Sequence, residues 1–212
     1  MKIVNLIVLW ILMGSSGMID GEVMDVDSLH DWVNTPAMPE IEIQETLAEE
    51  TGDYNEMGQV PILVYHRIKT SQQDYDISAE NFRSNLQKLY DHDFVLTDLV
   101  DYLNGIVEVP KGKHPVVITF DDGTMSQFNM IESSEGDYLI DPDSAMGILY
   151  EFYLKHPDFG FEATFFLNGH APFGQKELAE TKIEFMQKFG LRIGNHTMNH
   201  VNFSLMNSVP LA

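Results

Sequence analysis

The 212 residues carry 33 acidic and 12 basic side chains, a formal net charge of −21, with 44% hydrophobic and 11% aromatic content. A chain this acidic repels nucleic acid and anionic lipid, and its apolar share is enough for one packed domain and a tail. There is no cysteine, which excludes disulfides, thiolate metal sites, a cysteine nucleophile and a cysteine-linked lipid anchor.

Residues 1–17 have the layout of an export signal. Lys2 and the amino terminus make a positive end, residues 3–13 are an apolar run, and Gly14-Ser-Ser-Gly17 supplies the small residues a signal peptidase accepts. Eleven residues of helix rise about 16 Å against a hydrocarbon core of about 30 Å. Extension to Ile19 gives a borderline span, so the two readings are a cleaved signal and an uncleaved membrane anchor through residues 1–19. Either one makes the protein exported: extracellular, in the cell envelope or membrane-anchored. Residues 18–59 hold 12 acids and no Lys or Arg. With Pro36, Pro39, Gly52 and Gly58 and no sustained period, they read as an acidic flexible linker.

From Val60 onward, short apolar runs alternate with amphipathic stretches, the rhythm of an α/β domain. Residues 61–65 predict a buried strand. Ser78 predicts a helix cap, followed by Phe82, Leu86, Leu89 and Tyr90 on one face. Phe94–Leu96 predicts a strand and Leu99–Leu103 a short helix. Residues 116–120 (Val-Val-Ile-Thr-Phe) give the strongest strand signal in the chain. Residues 128–131 and 138–140 flank Ser133-Ser-Glu-Gly136 as a hairpin. Residues 148–154 predict a helix ended by Pro157, 163–167 a strand, 177–189 a helix closed by Gly190, and 191–193 a last strand. Strands joined by crossovers favour a mainly parallel sheet or barrel.

Residues suited to chemistry fall at the ends of these strands. Asp121 and Asp122, followed by Gly123, sit where parallel α/β folds place their sites. Two adjacent carboxylates repel unless a cation offsets one of them, which leaves the other to act as a base. The structural reading of the same triplet is a capping turn. His196 and His200, four apart, share a face if that segment is a helical turn, and together with an aspartate make a ligand set for zinc or another divalent ion. His66 ends the first strand and belongs to the same rim if the sheet is parallel. His30, His92, His114 and His156 have no such placement, and His170 lies near the rim.

Three motifs in order, Thr119-Phe-Asp-Asp-Gly123, Ala163-Thr-Phe-Phe-Leu167 and Gly194-Asn-His-Thr-Met-Asn-His200, resemble the polysaccharide deacetylases of the NodB-homology group (carbohydrate esterase family four). The stretch Pro61-Ile-Leu-Val-Tyr-His66 resembles the branch that includes the poly-N-acetylglucosamine deacetylases. The resemblance, over residues 60–205, implies a distorted (β/α) barrel. It also implies a metal-dependent hydrolase that removes acetyl groups from N-acetylglucosamine-type polysaccharide. It assigns Asp121 as general base, Asp122, His196 and His200 as ligands of a divalent metal such as Zn2+, and His66 as general acid. The family continues beyond its His-x-x-x-His motif through an Arg-x-Pro-Tyr segment that is not found here. Residues 60–212 are therefore expected to be the N-terminal part of a deacetylase domain, its barrel incomplete. The competing expectation is a truncated, inactive envelope protein that at most binds glycan. A phosphoesterase is disfavoured by the lack of a basic cluster near the motifs.

Overall fold

The computed structural model describes residues 58–70, 73–134, 136–169 and 171–200. The predicted signal and linker therefore lie outside the described residues, except for the last positions of the linker, and so do His30 and His170. Among the described residues, nine strands and four α-helices follow in order. They are β1 (Ile62–Tyr65), β2 (Arg67–Ile68), β3 (Asp76–Ile77), α1 (Ala79–Asp91), β4 (Phe94–Leu96), α2 (Leu99–Leu103), β5 (His114–Phe120), β6 (Met130–Glu132), β7 (Tyr138–Ile140), α3 (Ala145–Lys155), β8 (Thr164–Leu167), α4 (Ala179–Lys188) and β9 (Arg192–Asn195). Among the described residues no helix is long and apolar enough to cross a membrane.

Five strands form a wholly parallel sheet in the order β1-β5-β8-β9, with β4 also on β5. Among the described residues this sheet is open, so closure into the expected barrel is not seen. The centre is β5, as its composition demands: Val116 to Phe120 are all buried. Their alternation sends Ile118 and Phe120 into the main core, where the Phe120 ring stacks on Phe165 with centroids 4.6 Å apart.

The helices form where the local signals placed them. The Ser78 hydroxyl accepts from the Asn81 amide at 3.1 Å, and Phe82 and Leu86 of α1 are fully buried against the sheet. Helix α3 begins three residues before the expected start because the Ser144 hydroxyl caps the Gly147 amide at 3.1 Å. The hairpin is present, with β6 and β7 antiparallel and Met130 opposite Ile140. The Gln175 amide ties it down by accepting from Met130 N at 2.9 Å and donating to Met130 O at 2.7 Å.

Just past the carboxyl end of β4 and beside the start of β9, Asp98 binds three donors. Its Oδ1 caps α2 through the amides of Val100 and Asp101, and its Oδ2 accepts from Arg192 Nε at 2.8 Å. Burial works against the Asp98 carboxylate, but Arg192 and the two amides outweigh it and hold its pKa below the usual range. Glu162 beside this group fares worse. Burial, then repulsion from Asp98 and Asp101, raises its pKa to about 7 despite Arg192.

A carboxyl whose pKa is raised on folding holds its stability fully at low pH and loses it as pH rises towards 7. Glu162→Gln is therefore expected to raise stability at pH 8 by on the order of 2–3 kcal/mol. The gain should shrink through pH 7 and vanish below the unfolded glutamate pKa, as followed by denaturant unfolding across that range.

Candidate metal and catalytic site

Parallel alignment gathers the candidate residues on one rim. Tyr65 is opposite Phe120 in the β1–β5 register, so the next residues, His66 and Asp121, leave the sheet side by side. The Asp121 amide donates to Tyr65 O at 2.9 Å, and His66 Nε2 lies 3.8 Å from Asp121 Oδ2. Both side chains are about four-fifths buried, at 21% and 22% exposure.

Asp122 turns away from this pair. Its backbone is left-handed, at φ 78, and its carboxylate faces the loop after β9. Asp122 Oδ1 is 3.6 Å from His196 Nε2 and 3.4 Å from His200 Nε2. Gly123 makes the turn possible: its φ is 58, and an added Cβ would lie 2.8 Å from Leu167 Cδ2. Its carbonyl then accepts from the Phe173 amide at 2.8 Å. The two adjacent carboxylates thus serve different neighbours.

The histidine pair is brought together by a loop and not by the expected helical turn. Residues 196–200 have no helical assignment, and Thr197 and His200 are left-handed at φ 64 and 51. The cause is local. The Asn195 side chain accepts from the Thr197 amide at 2.7 Å, the self-bonded turn that asparagine favours. The ring centroids of His196 and His200 end 4.8 Å apart.

One atom of each of Asp122, His196 and His200 lies within 4.8 Å of the others. The donor set fits a divalent cation on two counts. Ligand bonds of about 2.1 Å in tetrahedral array put donor atoms roughly 3.4 Å apart, close to the two carboxylate–imidazole distances. His196 Nε2 is also buried without a hydrogen-bond partner, a position a cation would satisfy. Asn168 Nδ2 supports the carboxylate, donating to Asp122 Oδ1 at 3.3 Å. His92 and His114 belong to the scaffold, and so does His156, whose ring packs on Tyr90.

The sequence reading missed Gln127, which is fully buried. Its side-chain NH2 donates to the carbonyl of His66 at 2.5 Å and also to that of Asp121. One amide thereby bridges the termini of both strands that carry the 3.8 Å pair.

No family model and no curated protein matches the chain. Solved structures do. The deacetylase PplD of Streptococcus pyogenes, in complex with acetate, matches at TM-score 0.51 and 22% identity, over 70% of this chain and 60% of that one. A putative polysaccharide deacetylase of Bacillus anthracis matches at TM-score 0.49 and 22% identity, over 70% of this chain and 42% of that one. The chain has the fold of the Streptococcus pyogenes deacetylase. IcaB from Ammonifex degensii is also similar, at TM-score 0.44 and 23% identity, over 66% of this chain and 53% of that one. At such identities the likeness is one of fold, and the chain spans 60% of the length of PplD. Within this deacetylase fold the rim residues are placed by the sheet itself.

Gln127→Met keeps the shape of the side chain and removes both bonds, leaving two carbonyls short of a donor. The expected loss is about 2–4 kcal/mol in denaturant unfolding. Gln127→Glu should lose more at neutral pH, where a carboxylate would face two carbonyl oxygens.

Proposed function

We propose that the protein is an exported, metal-dependent hydrolase that removes acetyl groups from N-acetylglucosamine-type polysaccharide of the cell envelope. The observation that carries this reading is the convergence of Asp122, His196 and His200 beside the His66–Asp121 pair. The deacetylase fold and the three motifs support the substrate class. Export rests on the signal-like pattern of residues 1–17.

In this reading Asp122, His196 and His200 hold the cation, with Zn2+ the best match to a two-imidazole, one-carboxylate set. When bound, such a cation supplies Lewis acidity towards the acetyl carbonyl and a water molecule. Asp121 is not needed as a ligand and acts as general base, taking a proton from water as its oxygen bonds to the acetyl carbon. His66, in its imidazolium form, gives a proton to the amide nitrogen as the C–N bond breaks. Water and acetamide become acetate and a free amine. Gln127 keeps base and acid in register, and Asn168 fixes the ligand carboxylate.

Acetate release from an N-acetylglucosamine oligomer tests the reaction. Activity should be lost with a chelator and return with added Zn2+. Asp121→Asn should lower kcat about 10²–10⁴-fold while calorimetric affinity for Zn2+ stays near that of the parent. Asp122→Asn and His196→Ala should lose Zn2+ binding itself. Full activity in Asp121→Asn would remove the assigned mechanism, and a chain that takes up no divalent ion would remove the metal site.

A further inference from the structure

Tyr75 stands 73% exposed beside the rim, its ring centroid 4.8 Å from that of His66 with the planes tilted by 39°. Its backbone is left-handed, at φ 69, a conformation that is strained for a bulky residue. Asparagine or glycine would adopt it more readily, so folding by itself does not favour tyrosine here.

The backbone around Tyr75 is tied on both sides. The Arg67 amide donates to the Tyr75 carbonyl at 3.3 Å, and the Asp76 amide donates to Gln73 O at 3.0 Å. Arg67 is paired with Asp76 in the β2–β3 register and through an ion pair with its carboxylate, and Arg67 Nη2 donates to Asp74 O at 3.0 Å. These bonds hold a large aromatic ring in solvent next to the residue read as general acid.

The next step rests on the deacetylase reading above. For His66 to protonate the nitrogen on a sugar, that nitrogen must come within about 3 Å of the imidazole. The pyranose ring bearing it then lies within one ring's width of Tyr75. A pyranose presents a face of C–H groups, for which an aromatic face is the apolar complement, and the phenol adds a donor and acceptor for its hydroxyls. We infer that Tyr75 is the stacking wall of the subsite that receives the acetylated sugar. His66 and Tyr75 would then read one ring together, the first at its nitrogen and the second at its face.

The test compares Tyr75→Asn, which suits the left-handed backbone, with Tyr75→Phe, which keeps the ring. Binding of an N-acetylglucosamine oligomer is measured by calorimetry in chains that also carry Asp121→Asn, and kcat and KM in chains that do not. For Tyr75→Asn the expected result is a Kd and KM about threefold to tenfold higher, in line with the loss of one aromatic contact. The unfolding midpoint should be no lower than in the parent, and Tyr75→Phe should recover most of the affinity. An unchanged Kd in Tyr75→Asn overturns the inference, as does a fall in kcat alone, which would mean that the ring only orients His66. A parent chain loaded with Zn2+ that neither binds the oligomer nor releases acetate overturns the deacetylase reading itself, and this inference with it.

Discussion

Registration of β1 on β5 is the constraint from which the site follows. Once Tyr65 lies opposite Phe120, the chain has no freedom in where His66 and Asp121 emerge: they are the next residues on neighbouring strands, running the same way. A slip of one residue would reverse the faces of β1, burying Ile62 and Val64 and exposing Leu63 and Tyr65. The packing forbids this, because Tyr65 sits edge-on to Phe82 at 4.8 Å and beside Phe120 at 5.7 Å. The aromatic core under the sheet thus sets the distance between two polar groups above it. Gln127 adds a second lock, since its single NH2 requires both carbonyls to stay within reach.

The carboxyl rim differs in character from the core beneath it. Tyr75, Asp122, Thr197 and His200 are all left-handed, and all lie on or beside the candidate site. Regular structure ends at each of these points, so the main chain is free to turn, and the turn aims the side chain. At Asp122 it separates two carboxylates that would otherwise crowd one another. At Thr197 it folds the loop back so that residues four apart meet without a helix. Strain of this kind persists only where the surroundings fix the backbone, and here they do: the Asn195 side chain holds Thr197, and the Phe173 amide holds the carbonyl of Gly123.

Much of this was legible in the sequence because it is local. Ser78 before an amphipathic run, the β-branched stretch 116–120 and Gly190 after a helix are signals carried by neighbouring residues, and the elements appeared there. The five site candidates were legible because each follows a strand, and a parallel sheet puts all strand termini on the same side. Gln127, Asn168 and Tyr75 were not. Gln127 reaches a carbonyl 61 positions away and Asn168 a carboxylate 46 away, and nothing in a lone glutamine or asparagine announces such a partner. The helical reading of residues 196–200 failed for a physical reason that can be named. A spacing of four fits a helix, but an asparagine just before it offers the backbone a competing turn, and the competing turn prevailed.

Two places on the sheet treat buried polarity in opposite ways. Between the end of β4 and the start of β9, Asp98 is satisfied by two amides and a guanidinium, and its charge is stabilised in place. At the carboxyl end, His196 Nε2 is buried with no partner, although a carboxylate oxygen stands 3.6 Å away. An unmade hydrogen bond in such a position costs about 1–3 kcal/mol, and a rotation that brought imidazole and carboxylate into direct contact would remove the cost. The side chains instead keep a gap that suits a third atom bonded to each. That spacing is what the metal site proposed above requires of these two side chains.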